Sequence, residues 1–353
     1  MGRRKIGLFS LAIGLVVTAS LVVGLTASAG TTQPTKSAGP AVRHAGFKIY
    51  FIPKTTTIPV FTQNGVGAKE AAKKLGDTVT YNGPTDVSGA KQVPFIDSAA
   101  SQGYDAIVIS TPDPAAVAPA LKRAAAKGVK VVSYDGDTTT DARTIFVAPT
   151  TNKGIGAFQV KWLASQIGYK GQFAILSATP TSGNQNTWIK FMKVELKKKA
   201  YKNMKLVKIA YGNDNPTDSA KQTQALLQAY PKLKGIIAPT TVGIQAAAQE
   251  LQQEKKCKSV ALTGLGLPND MRKYVKKGCA KKFGLWNEKN LGYLATYVAH
   301  YVASGKLNGT LGQTFTAGRL GKYKVVISDG NKPVVVLGPP LVFTPKNIDK
   351  FNF

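Results

Sequence analysis

GVKVVSYDGD, residues 128–137, decides the fold: an apolar strand runs out of hydrophobic residues and stops at once in two carboxylates, Asp135 and Asp137. Residues 114–127 before it carry alanine and leucine at helical spacing and end in a Lys-Gly stop. The local grammar is strand, helix, strand, acidic tip. In open parallel sheets, ligands collect beyond the carboxyl ends of the strands, where loop side chains converge. Asp135 is therefore a candidate ligand contact and Asp137 a weaker one; the competing reading is a surface turn whose aspartates accept hydrogen bonds from their own backbone.

The same rhythm extends in both directions. FKIYFI (47–52), TVTY (78–81), DAIVIS (105–110) and TIFVAP (144–149) read as strands separated by helical stretches. A second unit begins near Asn152, with strands QFAILS (172–177), MKLVKIAY (204–211), LKGIIAP (233–239), VALTGLG (260–266) and FGLWNEKN (283–290). The strands of the first unit read as continuous apolar runs, as parallel sheets covered on both faces require. The fold class is α/β. After a helix to about Ser304, the short strand-turn-strand YKVVISDGNKPVVVLG and a proline-punctuated tail suggest a bilobal protein whose chain crosses a hinge more than once. The first lobe is expected to take 46–149 and about 289–320, and the second 150–288 and about 321–353, with the cleft between the strand tips.

A chain of 353 residues fits two domains of ordinary size. Its 47 Lys and Arg against 18 Asp and Glu give a formal charge of +29, which invites a nucleic-acid reading. The positive residues are spread along the chain, dense only at 197–202, 255–258 and 276–282, with no arginine-rich arm and no zinc pattern. A lysine-solvated surface accounts for them better, and no nucleic-acid partner is expected.

Arg3, Arg4 and Lys5 precede an apolar run from Ile6 to about Ala29, and Ala27-Ser28-Ala29 has the small-x-small form of a signal cleavage site. The run reads as a cleaved signal peptide; its length also permits a retained anchor, since about 20 apolar residues span a bilayer. No cysteine lies near it, so a cysteine-linked lipid anchor is excluded. Residues 30–45 read as a flexible leader with a solvated His44. The expected location is the periplasm or the outer face of the cytoplasmic membrane. Export permits a disulfide. Cys257 and Cys279 each precede an apolar run, so they meet if those strands are parallel neighbours; two free thiols are the alternative.

Catalysis finds little support. The only histidines are His44 and His300, and neither G-x-S-x-G nor a P-loop occurs. Gly65 and Gly67, read as a tight loop-to-helix passage, do not form a dinucleotide fingerprint. Asp135 with Asp137 supplies too few ligands for a cation, so no metal and no cofactor are expected. Across the cleft, the tips of the second unit offer Asn184, Gln185, Pro239, Thr241, Trp286 and Asn287, which are neutral groups without a second acid for glycosidase chemistry. Lys54, at the end of the first strand, points into the same crevice as Asp135 and can donate up to about three hydrogen bonds. Amides, a carboxylate and an ammonium suit a polyhydroxylated ligand, with Phe61 or Trp286 covering an apolar sugar face.

The motifs IPK (52–54), YNGPT (81–85), PALKRAAAKGVKV (119–131), YDGDT (134–138), NQNTW (184–188), GIIAPT (235–240), FGLWN (283–287) and FTPKNIDKFNF (343–353) resemble, in order and spacing, the type 1 periplasmic sugar-binding proteins of ATP-driven importers. Within that family they are most similar to the autoinducer-2-binding LsrB branch and its rhamnose-binding relatives. The resemblance covers about 46–353. It implies two Rossmann-like lobes with parallel sheets, joined by a multi-crossover hinge, in a monomer that closes on its ligand and presents it to the permease subunits of an ABC importer. By the same resemblance, Lys54, Asp135 and Gln185 stand at ligand-contact positions, and Pro239 and Thr241 at backbone-contact positions. Asn184 and Thr240 depart from it, since both stand where the autoinducer-2-binding member has aspartate. Each departure removes a charge-assisted acceptor. The expected ligand is accordingly a pentose, hexose, deoxyhexose or polyol as readily as autoinducer-2. A sensory module without transport is the alternative role.

Overall fold

The computed structural model describes residues 46–353. The basic and apolar N-terminus, the leader and His44 lie outside the described residues. Among the described residues no helix is long and apolar enough to cross a membrane.

The chain opens with β1 (Lys48–Ile52), α1 (Pro59–Leu75), β2 (Thr78–Tyr81), α2 (Gly89–Ser101), β3 (Ala106–Ile109), α3 (Pro114–Ala126), β4 (Lys130–Tyr134) and β5 (Ile145–Ala148). It continues through α4 (Asn152–Ile167), β6 (Lys170–Ser177), α5 (Gly183–Leu196), β7 (Asn203–Tyr211), α6 (Pro216–Ala229), β8 (Leu233–Ala238), α7 (Thr241–Gln253), β9 (Ala261–Gly264), α8 (Pro268–Lys276) and β10 (Phe283–Leu285). The closing elements are α9 (Glu288–Ala303), β11 (Thr314–Thr316), β12 (Lys322–Lys324), β13 (Val326–Ser328), β14 (Asn331–Val336) and β15 (Leu341–Phe343).

Local chemistry sets many of these boundaries. β3 and β5 are buried along their whole length, as central strands of a sheet covered on both faces must be. Proline opens α1, α3, α6 and α8, where its missing N–H costs nothing. Asp113 caps α3 by accepting from the N–H groups of Ala115 and Ala116.

The first sheet has the order β13-β14-β5-β4-β3-β1-β2, and the second β7-β6-β8-β9. Pairing is parallel throughout, except for the β13–β14 hairpin. A parallel bridge from Leu265 to Gly284 brings β10 beside β9, and β15 runs antiparallel to β10. Both sheets reverse their winding after the first strand, between β1 and β3 and between β6 and β8. These reversals are the switch points at which open α/β sheets leave a crevice.

α9 follows β10 of the second sheet but packs on β3, β4 and β5 of the first and along α1. Glycine makes the α1–α9 approach feasible: a Cβ on Gly67 would lie 1.8 Å from the carbonyl oxygen of Lys289, and one on Gly292 1.9 Å from that of Asn64. Gly65 and Gly67 are thus interior residues of α1, not a passage into it, because the helix already starts at Pro59.

β13 and β14 differ from the expectation that about 321–353 returns to the second unit. Val334, Val335 and Val336 pair with Phe146, Val147 and Ala148 and extend the first sheet. Val334 and Val335 are fully buried there, so β14 covers an edge that β5 would otherwise leave open. Only β15 and the tail join the second unit, where the N–H of Asn269 donates to the carbonyl of Phe353. Among the described residues the chain therefore passes between the sheets at 149–151, 286–287 and 337–340. Cys257 and Cys279 form a disulfide just before β9 and β10, at the ends of those strands away from the crevice. His300 bonds Asp77 at 2.8 Å and fastens α9 to the loop before β2.

Candidate functional site

Lys54 lies two residues beyond β1 and Asp135 immediately beyond β4, and their side chains form an ion pair of 2.9 Å that is 6% and 10% exposed. Asp135 holds a left-handed φ of 51°, a conformation that a non-glycine residue keeps only with support. Ser110, at the tip of β3, supplies it: its hydroxyl donates to Asp135 Oδ2 at 2.9 Å and accepts from the N–H of Gly136 at 3.1 Å. The Lys54 ammonium also lies 5.8 Å from the ring centroid of Phe61, in the first turn of α1. A charge this buried persists only when paired.

Asn184 and Gln185 face this group from the second unit. Both lie in the first turn of α5, although the sequence reads them as strand-tip residues. Gln185 Oε1 accepts from the hydroxyl of Ser177 at 2.7 Å and the N–H of Ala178 at 2.9 Å. Asn184 Oδ1 accepts from the N–H of Gln185 at 2.8 Å and from the Ser182 hydroxyl at 3.2 Å. With both amide oxygens committed, these two side chains offer donors. Pro239 and Thr241, flanking the end of β8, complete this wall.

Lys54, Phe61, Asp135, Asn184, Gln185, Pro239, Thr241 and Trp286 line one cavity, with about 450 Å³ of space between its atoms, the open mouth included. Trp286 packs edge-on against Trp188, ring centroids 6.0 Å apart. The Trp188 indole N–H donates to Asn152, whereas that of Trp286 is buried without a partner in hydrogen-bond geometry.

Two expected contacts fall outside. Asn287 does not line the cavity; its side chain caps α9 by accepting from the N–H of Asn290 at 3.0 Å. Asp137 turns away and takes a two-pronged bond from Arg143, at 2.7 and 2.9 Å, plus one from Asn331 at 2.8 Å, fastening the β13–β14 hairpin. Two carboxylates that the sequence does not single out fall inside: Asp214, in the turn after β7, and Glu288, the first residue of α9. The second unit's strand tips do therefore bring an acid to the cleft. The Thr240 hydroxyl donates to Asp214. Burial pushes the Asp214 carboxyl up, against the pull of Thr240 and of the Lys54 charge. Burial also raises Glu288 well above the usual carboxylate range, and the nearby Asp135 charge adds to the effect. The NDN turn at 213–215 follows an apolar strand just as the other tips do, and counting it as a tip would have found Asp214. Nothing local signals Glu288, because an acid in a first helical turn ordinarily faces water.

Among the described residues no cluster of His, Cys, Asp and Glu could hold a metal ion, and His300 lies outside the cavity lining. The cavity thus offers recognition groups: one ammonium, amide and indole donors, carboxyl acceptors and aromatic faces.

Residues 49–307 match the family described as Periplasmic binding protein domain. A solved structure of a sugar ABC transporter from Actinomyces odontolyticus is 42% identical, over 87% of this chain and 98% of that one, with a TM-score of 0.70. An ABC transporter solute binding protein from Clostridium phytofermentas with bound L-rhamnose is 33% identical over 86% and 98%, with a TM-score of 0.84. LsrB from Clostridium saccharobutylicum in complex with AI-2 is 27% identical over 87% and 100%, with a TM-score of 0.81.

Proposed function

Because the chain belongs to the periplasmic binding protein domain family, we propose that it is the solute-binding subunit of an ABC importer, taking up a small uncharged carbohydrate or polyol outside the cytoplasmic membrane. It is a carrier and not an enzyme. The observation that carries the reading is the convergence of Lys54 and Asp135, from the first sheet, with Asn184 and Gln185, from the second, on one cavity at the two switch points. Asp135 accepts ligand hydroxyl protons, Lys54 and the two amides donate, and Phe61 and Trp286 cover apolar faces.

A ligand held by both walls favours the closed arrangement, since it shifts the hinge only through contacts made preferentially there. The permease subunits then recognise the closed form. The likeness to the rhamnose-bound protein of Clostridium phytofermentas supports a deoxyhexose or a related sugar. Autoinducer-2 is a second reading, favoured by the likeness to LsrB; Asn184, whose amide presents a donor, argues for a different hydroxyl pattern.

A thermal-shift screen of pentoses, hexoses, deoxyhexoses, polyols and autoinducer-2 tests this, because a ligand of the native state raises the melting temperature by mass action. A clear shift with one sugar supports the reading and names the ligand class. Silence across the panel, in folded protein freed of copurified ligand, overturns it.

A further inference from the structure

The crossover at 286–287 joins β10 to α9, and the residues on it and just after it form a wall of the cavity apart from the tips of β1, β4 and β8. Glu288 is 2% exposed and lines the cavity. The buried amide of Asn64, on α1, holds it twice: Nδ2 donates to Glu288 Oε2 at 2.7 Å and to its main-chain carbonyl at 2.8 Å. Among the described residues no protein group makes a well-formed hydrogen bond to Glu288 Oε1, and none to the indole nitrogen of Trp286, which is 3% exposed. A fixed carboxyl with one oxygen outside any well-formed hydrogen bond and, turned toward it, the indole N–H of Trp286 thus border the same cavity.

We propose that Glu288 is a specificity-determining ligand contact, its carboxyl donating to a ligand oxygen beside the indole N–H of Trp286. The inference rests on the carbohydrate reading and adds to it an oxygen, in a ring, a carbonyl or a hydroxyl, that accepts from the hinge segment itself.

The charges around Glu288 explain the protonation. Asp135 and Tyr134 face it from the end of β4, Lys54 from beyond β1 and the uncharged Asn64 from α1. The Trp286 indole turns its N–H toward the carboxyl and, with Asn64 and Lys54, favours the charged form, but burial and the Asp135 charge outweigh all three. Lys54 is already committed to Asp135 at 2.9 Å. An ionised Glu288 would add a second negative charge next to Asp135 without a cation of its own, and the N-terminus of α9 offers only a partial positive charge. Asn64 can bond either protonation state, but only the acid has a proton to donate.

Calorimetric titration with L-rhamnose, D-ribose, D-galactose and xylitol, on wild type, Glu288→Gln and Glu288→Ala, tests the contact. Wild-type affinity for the sugar that binds should fall at least roughly tenfold as pH rises through the range in which the raised carboxyl loses its proton. Glu288→Gln keeps a donor of the same shape, so its affinity should stay within about threefold of the low-pH wild-type value and be flat with pH. Glu288→Ala should bind roughly tenfold more weakly at every pH. If Glu288→Ala does not fold, the isosteric glutamine variant decides between the outcomes. A glutamine variant that loses affinity with pH as the wild type does, or a wild-type profile that is flat, overturns the role of Glu288 alone. Failure of the wild type to bind these four and every other member of the thermal-shift panel overturns the carbohydrate reading, and the contact with it.

Discussion

At the residue scale, the Lys54–Asp135 pair ties binding to stability. Asp135→Ala would leave Lys54 buried without its counter-charge, so a loss of about 3 kcal/mol in stability is expected along with the loss of sugar binding. Asp135→Asn keeps an acceptor for Ser110 and should cost less stability while still weakening sugar binding roughly a hundredfold. Urea unfolding and calorimetry on the two variants separate these effects, and an asparagine variant that binds like the wild type would remove Asp135 from the site. Glu288 makes a prediction without any ligand. Its folded carboxyl keeps its proton at pH values where the unfolded chain, with a carboxyl near pH 4.3, has lost it. The native state then binds more protons, so stability falls as pH rises from the unfolded value toward the folded one. Relative to Glu288→Gln, the wild type should lose up to about 1.4 kcal/mol per pH unit in that window. A stability difference that stays constant between about pH 5 and pH 8 contradicts a raised Glu288. The placement of Lys54 and Asp135 at the cavity is legible without the fold because polar residues just past apolar strands have few other places to point, whereas Gln185, inside α5, does not follow from strand position. Asn287 and Asp137 satisfy the same rule yet serve as a cap and a clamp, since their partners, Asn290 on the following helix and Arg143 with the distant Asn331, cannot be foreseen from strand position.

At the scale of elements, the α1–α9 seam is the most sensitive contact. A methyl group on Gly67 would lie 1.8 Å from a backbone oxygen, which cannot rotate aside, whereas one on Gly65 would meet the edge of the Tyr81 ring at 2.7 Å. Gly67→Ala should therefore destabilise by roughly 1–3 kcal/mol or more, and Gly65→Ala by less; urea midpoints of the two variants check the order. Strands and most helices are readable because continuous apolar runs and proline starts are local signals. The start of α5 is not, because NQNT looks like loop and only the backbone geometry reveals a helical turn. Nor is the destination of β14, because NKPVVV could extend any open sheet edge and its partner β5 is far off in the chain.

At the scale of the whole molecule, two sheets of like winding meet tip to tip, and among the described residues three stretches of backbone connect them. The repeating rhythm of strands foretells two units and a cleft. Which late segment returns to which unit is beyond it, because short strands carry little sequence signal and their partners are remote. The disulfide between Cys257 and Cys279 lies at the far end of the second sheet from the cavity, so it can brace that unit without touching the ligand groups.

The returning strands also set a timetable. The first sheet is incomplete until residues 331–336 are made, and the second lacks β15 until residue 343. Neither unit can reach its final hydrogen-bonded form while those residues are still inside the ribosome, and both settle only once they emerge. Completion of both sheets thus waits on the last few dozen residues of the chain.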